Sequence, residues 1–422
     1  MNGNQKNAIV VSLNDNISEI VQLADSLGYD IVKTFIQHRK TPDVNSYIGP
    51  GKVEEIKEFI DNIEKDISLI IVDGKLKPSQ WFILEKRLNV DVYDRIRLIL
   101  AIFEKRADRK EARLQVRLAQ LQYERPFVRE LIHRARAGEH PGFMAGGEYQ
   151  VDDYYEMIKK QMKKIKMNLK KIRDEREVRR QHRHIGGFYL VSLAGYTNAG
   201  KSSLLNLLSG EQVKVEGKLF STLSTTTRKI NNKNFPILLT DTVGFIQNLP
   251  VWVIDAFHST LEEIEVADVV LLIVDTSEKE EIIGKKLKVS LDELVELGVT
   301  SSIIIVFNKT DLLSKEEVTA RINYLQKIKL TKNRKTVFIS VKNKKNIDML
   351  MGIVYQSLPN IARVKLRLPV NEKTQSFISW VYEKAHVSDI SYDDYVTLCV
   401  ECNARIKNKI VSKCEVLNGS II

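Results

Sequence analysis

"FYLVSLAGYTNAGKSSLLNLL", Phe188 to Leu208, runs from an apolar strand pattern through a glycine-bounded turn into a helical pattern. Its centre, "GYTNAGKS" from Gly195 to Ser202, matches G-x-x-x-x-G-K-[ST] in the strand–turn–helix context that a phosphate-binding loop requires. By composition alone such a match arises about once in a hundred chains of this length. Gly195 and Gly200 let the backbone curl so that successive amides face phosphate oxygens. The expected wrapping residues are Gly195, Tyr196, Thr197, Asn198, Ala199, Gly200, Lys201, Ser202 and Ser203. Lys201 is expected to bridge the β- and γ-phosphates, and the Ser202 hydroxyl to ligate Mg²⁺.

Three further motifs follow in order, each after a strand pattern. "PILLTDTVG" ends in Asp241, placed to hold Mg²⁺ through water, and in Gly244, whose amide is free for the γ-phosphate. "SIIIVFNKTD" ends in Asn308, Lys309, Thr310 and Asp311, an N-K-x-D. The Asp311 carboxylate would accept from guanine N1–H and the exocyclic amine, while the Lys309 stem covers the base. Adenine has no such donor pair, and a buried acceptor left unmatched costs about 1–3 kcal/mol. "VFISVK" supplies Ser340, Val341 and Lys342 near the guanine oxygen. The four motifs together imply GTP and GDP as ligands. Between the first two lies "LFSTLSTTTRK", where a switch threonine is needed to close on Mg²⁺. Thr225, Thr226 and Thr227 all stand within reach by spacing.

"DTVGFIQNLP", Asp241 to Pro250, raises a question of chemistry. Many GTPases orient the attacking water with a Gln directly after Asp-x-x-Gly, whereas Phe245 carries no group able to do so. Either Phe245 packs beneath the switch and another residue of the chain acts, or a partner completes the site. The partner reading is preferred.

The chain around this site has 422 residues, which implies several domains. Residues 8 to 94 alternate strand patterns ("AIVVSL", "DIVKTFI", "SLIIVD", "VDVYD") with helical ones ("ISEIVQLADSL", "GKVEEIKEFIDNI", "SQWFILEKRL"). That alternation implies a parallel sheet with helical crossovers. From 95 the pattern turns to long helices. Val151, Tyr155, Ile158, Met162, Ile165, Leu169 and Ile172 form a heptad seam, with Phe103, Ala107, Leu114, Leu118 and Leu121 close to a similar register upstream. The expected architecture is α/β multidomain. It comprises an N-terminal α/β domain (1–94), a basic antiparallel helical hairpin (95–184), a P-loop GTPase domain (185–361) and a small C-terminal α+β domain (362–422).

Charge is concentrated in the hairpin. Glu156 to Arg183 holds 12 Lys or Arg against 4 Asp or Glu, and Glu104 to Ala137 holds 10 against 5. Together these segments exceed the chain's net +11, which points to a polyanionic partner and salt-sensitive binding. The narrow apolar seam leaves no membrane-facing stripe. No apolar run reaches the roughly 18 residues of a membrane span, and "MNGNQKNAIVVSL" lacks a signal-peptide pattern. A cytoplasmic monomer is the expectation. Cys399 and Cys402 form a C-x-x-C, but "YVTLCVECN" alternates like a strand and no second ligand pair follows.

With these motifs assembled, the chain resembles the HflX family of translational GTPases over nearly its whole length. "SYIGPGKVEEI" resembles the family's N-terminal signature and "DRIRLILAIFEKRADRKEARLQVRLAQLQY" its helical arm. "LFSTLSTTTR" and "DTVGFIQNLPVWVIDAFHSTLEE" resemble its two switches. The resemblance implies binding to the large ribosomal subunit and its rRNA, hydrolysis stimulated there, and a role in splitting or rescuing ribosomes. It makes Thr226 the Mg²⁺ threonine, giving Ser202, Thr226 and Asp241 as metal residues and Lys201, Thr226 and Gly244 as catalytic ones. Family reports of ATP use leave an alternative, an RNA-remodelling NTPase with a second site in the N-terminal half. Two departures stand out. Ser224-Thr225-Thr226 replaces a usual Asp-Pro-Thr, and the Gly-rich loop is shortened to "GFMAGGEYQVDD", within 138–150 and just beyond.

Overall fold

The computed structural model describes residues 6–136, 148–185, 187–210, 225–230, 235–242, 244–245, 253, 258–327, 330–332 and 334–422. The shortened loop, save Glu148 to Asp153, and the first switch up to Ser224 lie outside the described residues. The chain divides into two compact units, with the division falling after Ile172.

In the first unit, β1 (Lys6–Ser12), β2 (Tyr29–Ile36), β3 (Ile67–Val72) and β4 (Val92–Asp94) form a parallel sheet in the order β2-β1-β3-β4. The continuous apolar run Ala8 to Val11 is buried throughout, as a central parallel strand covered on both faces must be. The crossovers are α1 (Ser18–Leu27), α2 (Pro50–Asn62) and α3 (Pro78–Leu88). Gly28 ends α1 in the left-handed conformation, and Pro50 opens α2, where its missing N–H costs nothing. Val53 and Ile56 of α2 and Leu84 and Leu88 of α3 close on Ile9, Val11, Ile70 and Val72.

Next comes α4 (Arg95–Arg106), capped by the Asp94 carboxylate, which accepts from the Arg97 amide at 2.8 Å. It is buried along most of its length and packs on α1. Arg95 pairs with Glu19 of α1 and, at 2.8 Å, with Asp73 after β3. The chain turns at Ala107 into α5 (Lys110–Arg136), and α6 (Glu148–Ile185) follows. Ile158 and Ile165 are buried against Leu118, Leu121 and Val128, with Tyr155, Met162 and Leu169 at the margin. Arg125 Nε donates to the Tyr155 hydroxyl at 3.0 Å, joining the later part of α5 to the early part of α6 as antiparallel helices require. The heptad seam is therefore the packed face. Phe103 and Ala107, read into that seam, sit instead in α4 and at its end.

The second unit holds a six-stranded sheet in the order β10-β9-β8-β5-β7-β6, from β5 (Tyr189–Gly195), β6 (Thr226–Lys229), β7 (Ile237–Asp241), β8 (Val269–Asp275), β9 (Ser302–Asn308) and β10 (Lys335–Phe338). Only β6 runs antiparallel. Its helices are α7 (Lys201–Ser209), α8 (His258–Glu265), α9 (Glu280–Glu296), α10 (Lys315–Lys327) and α11 (Ile347–Tyr355). All seven residues of β5 are buried, so the turn that follows is carried on a fixed strand end.

A last sheet in the same unit has the order β12-β13-β11-β14, from β11 (Ile361–Pro369), β12 (His386–Tyr392), β13 (Tyr395–Asn403) and β14 (Ser420–Ile421). The helices α12 (Glu372–Lys384) and α13 (Ala404–Val416) complete a β-α-β-β-α-β sequence. The Ala404 amide donates to the Asn360 carbonyl at 3.0 Å, and His386 lies on Phe235 with ring centroids 5.6 Å apart, fixing this sheet to the preceding one. Cys399 and Cys402 are three residues apart in β13 and so point to opposite faces. Burial pushes the Cys402 thiol up to about 11, so it stands as a neutral thiol at pH 7. Among the described residues, no helix is long and apolar enough to cross a membrane.

Candidate functional site

The site stands at the carboxyl ends of β5, β7, β8 and β9, where open α/β sheets bind ligands. The strand β5 delivers Gly195, and the turn through Tyr196, Thr197, Asn198 and Ala199 reaches Gly200, which opens α7. Asn198 takes a left-handed conformation at φ 62°, as short polar side chains tolerate. Gly200 is left-handed at φ 103°, and a Cβ there would lie 2.2 Å from Asn308 Nδ2. Only glycine fits.

Lys201 is buried, and its Nζ donates to the carbonyls of Gly195 at 2.9 Å and Tyr196 at 2.8 Å. Desolvation pulls its pKa down to about 8, against the opposing charge of Asp241. The Ser202 hydroxyl donates to Asp241 Oδ2 at 2.6 Å, and Asp241 is 1% exposed at the end of β7. Thr226 pairs with Asp241 across the β6–β7 ladder, while the next pair joins the Thr227 and Thr240 hydroxyls at 3.0 Å. A buried carboxylate touching a serine hydroxyl beside a threonine is a hard-oxygen donor set, which fits Mg²⁺ better than a soft metal.

On the base side, Asn308 joins two loops. Its Nδ2 donates to the Ala199 carbonyl at 2.9 Å, and its Oδ1 accepts from the Val341 amide at 3.2 Å. Asp311 Oδ1 accepts from the Ser340 hydroxyl at 2.6 Å, and Ser340 Oγ accepts from the Asn343 amide at 3.0 Å. Lys309 is left-handed at φ 68°, with its ammonium 2.6 Å from Asp275 Oδ2. Lys342 is exposed beside them, and Ser203 is half-buried in the first turn of α7. Sequence reading had missed Asp275 and Thr276. The first steadies Lys309, and the hydroxyl of the second donates to the Asn308 carbonyl. Their signal was the "VDT" that ends β8, which has the same polar-after-apolar form as the strands already singled out.

Phe245 is buried, at 6% exposure. Its amide donates to the Gly195 carbonyl at 3.0 Å and its carbonyl accepts from the Thr197 amide at 3.1 Å, a parallel bridge to Tyr196. The Asp-x-x-Gly turn is thereby laid against the P-loop, and a Cβ on Gly244 would come within 2.9 Å of both Lys201 Nζ and Thr197 Cα. A side chain at 245 points into packing rather than toward water. Phe245→Gln is therefore expected to leave unstimulated GTP turnover within about threefold, while burying an amide in an apolar site costs about 2–4 kcal/mol. Turnover and thermal melting on one preparation check this. A tenfold gain in turnover would show that position 245 does reach the water.

Family models match most of the chain in sequence order. One described as "GTP-binding GTPase N-terminal" covers residues 14–104, "GTP-binding GTPase Middle Region" covers 106–183, and "50S ribosome-binding GTPase" covers 190–309. The GTPase HflX of Methanocaldococcus jannaschii is 41% identical over 398 residues, spanning 94% of this chain and 95% of that protein. The GTPase HflX of Thermococcus kodakarensis is 42% identical over 354 residues, 83% of this chain and 78% of that one. Among solved structures, the complex of SsGBP with GDP aligns over 83% of this chain and 98% of that one, at 26% identity and a TM-score of 0.51. Identity at that level along almost all of both chains, over a site so assembled, makes this chain a member of the HflX family of GTPases.

Proposed function

We propose that the protein is a GTP-switched factor that binds the ribosome, mainly through the large subunit and its rRNA, and that hydrolysis accelerates on binding. The observation that carries the nucleotide half is the double tie of Asn308, which brings the P-loop and the Asp311–Ser340 pair into one site. Lys201 then takes the β- and γ-phosphate oxygens, with the amides of the turn from Gly195 to Ser203 around them. Asp311 takes the guanine N1–H and amine, and the backbone of Ser340, Val341 and Lys342 lies toward the guanine oxygen. Ser202, Asp241 and Thr226 are the residues to hold Mg²⁺, which when bound would neutralise charge on the phosphates. Gly244 turns its amide to the γ-phosphate once the Phe245 bridge lets go of the P-loop.

Support for the ribosomal half comes from charge. Arg125, Lys159, Lys163, Lys166 and Lys170, together with Met162 and Met167, line an opening of about 480 Å³ along the hairpin, and its five cations suit phosphates. We read the domains as 1–94, a basic hairpin of 95–184 whose first helix α4 packs on α1, the GTPase domain 185–361 and the C-terminal domain 362–422, acting as a cytoplasmic monomer. Splitting or rescue of ribosomes is the proposed consequence.

GTP turnover measured alone and with purified large subunits, at two salt concentrations, tests this reading. Slow turnover alone and at least tenfold stimulation that salt suppresses is the expected result. Fast turnover indifferent to subunits would sink it.

A further inference from the structure

We propose that the open face of the C-terminal sheet is a binding surface for single-stranded RNA, separate from both the nucleotide site and the hairpin. Its arrangement is β-α-β-β-α-β, with spatial order β14-β11-β13-β12. This is the split βαβ topology, in which two helices cover one face of four antiparallel strands. Here Val364, Leu366 and Leu368 of β11 and Val396, Leu398 and Val400 of β13 are buried with Phe377 and Val381 of α12 and Ile406 and Ile410 of α13. Strand alternation sends the residues between them to the other face.

That other face is basic where it is most exposed. Arg363, Lys365 and Arg367 alternate along β11, all exposed, opposite Glu401, Cys399 and Thr397 of β13. Their spacing is about 6.8 Å per two residues, a repeat of the same order as the phosphates of an extended strand. Arg363 is bound to Glu401, Nε to Oε1 at 2.7 Å, while 83% of its side chain stays exposed. Asp389 of β12 lies opposite Cys399 as a second acid on this face, and Asp393 and Asp394 are exposed in the turn before Tyr395. Among the described residues, neither Lys365 nor Arg367 has an ion-pair partner.

Arg367 instead lies over the ring of Tyr395, 4.2 Å from its centroid, and Tyr395 is 44% exposed at the start of β13. A flat guanidinium stacked over an exposed aromatic ring on an open four-stranded sheet is a platform for an unpaired base. Thr397 and Ser391, paired across β13 and β12, put hydroxyls next to it that suit a 2′-hydroxyl. A duplex, with its bases stacked inside, would use the cations but not the ring. The chemistry therefore favours a single strand, with phosphates on Lys365 and Arg367 and one base on Tyr395.

The test is fluorescence anisotropy of the full chain with a labelled ten-nucleotide uridine RNA and with a duplex RNA, at several salt concentrations. Lys365→Gln combined with Arg367→Gln is expected to weaken single-strand binding about tenfold and to flatten the salt slope by about 1.4, at 0.7 per phosphate contact. Tyr395→Ala is expected to lose about tenfold at all salts, and Tyr395→Trp to retain binding. Hairpin changes such as Lys163→Gln with Lys166→Gln should weaken duplex binding instead, which keeps failure of this site distinct from failure of the ribosomal reading. GTP turnover within twofold of the parent certifies that each sheet variant is folded, and an unchanged melting temperature does so for the hairpin variant. Single-strand affinity within twofold of the parent for both sheet variants, or equal losses on duplex, overturns the proposal.

Discussion

Lys201→Ala is expected to lower GTP turnover by about 10²–10³-fold, the usual loss when one positioned donor to a reacting centre is removed. The ammonium is already held at the P-loop by the carbonyls of Gly195 and Tyr196. Its state before binding has a second consequence. With its pKa drawn down to about 8 by burial, about half of the Lys201 side chains are neutral at pH 8 in the free protein. A bound diphosphate favours the charged form and raises that pKa. GDP binding at pH 8 is then accompanied by uptake of about half a proton, and by almost none at pH 7. The sign follows from a pKa raised in the complex: affinity is fully present below about 8 and declines as pH rises beyond it. Calorimetric titrations in two buffers of different ionisation enthalpy measure the uptake, which Lys201→Ala should abolish. Lys201→Arg keeps a cation but cannot lose its proton, so it should bind GDP without uptake. Uptake at pH 8 that persists in Lys201→Ala would place the titrating group elsewhere.

Much of the site could be read in advance because its signals are short-range. The glycines, lysine and serine of the P-loop lie within eight consecutive residues, and each later motif sits directly after an apolar run that had to be a buried strand. The fold class was readable for the same reason, since the runs at 8–11, 69–72 and 269–274 are too apolar for anything but covered parallel strands. What escaped was set by contacts between distant residues. No local pattern says that Asn308 will bond the carbonyl of Ala199, 109 positions earlier, or that Asp275 will receive Lys309. The helix α13 escaped for another reason. Its apolar residues Ile406, Ile410 and Cys414 recur every fourth position, but they are sparse in a segment otherwise full of lysine and polar side chains, and only the sheet beneath reveals them as a face. Phe245 was visible as an anomaly, yet its bridge to Tyr196 is made by backbone, on which the side-chain identities are silent.

Asp311→Asn is expected to weaken GTP and GDP binding by about 10²–10³-fold and to create binding of xanthosine nucleotides in the same site. Exchanging this carboxylate for an amide reverses donor and acceptor at one of its two atoms. As Asp it would accept two bonds from guanine, each about 1.5–3 kcal/mol for a charged acceptor, and every 1.4 kcal/mol is tenfold in affinity. As Asn one acceptor becomes an amide donor, which faces the guanine amine but matches a xanthine carbonyl. The geometry makes the swap a local one. Asp311 is half-buried and its Oδ1 is held by the Ser340 hydroxyl at 2.6 Å. An asparagine oxygen can accept that same bond and leave its amide turned to the base, so the loop keeps its shape while the recognition edge changes. Competition binding with fluorescent GDP and xanthosine diphosphate, on parent and variant, reads both arms. Loss of GDP without gain of the xanthosine nucleotide, in a variant with an unchanged melting temperature, would mean that Asp311 holds the loop rather than the base. In that case the discrimination against adenine would have to come from the backbone at Ser340 and Val341.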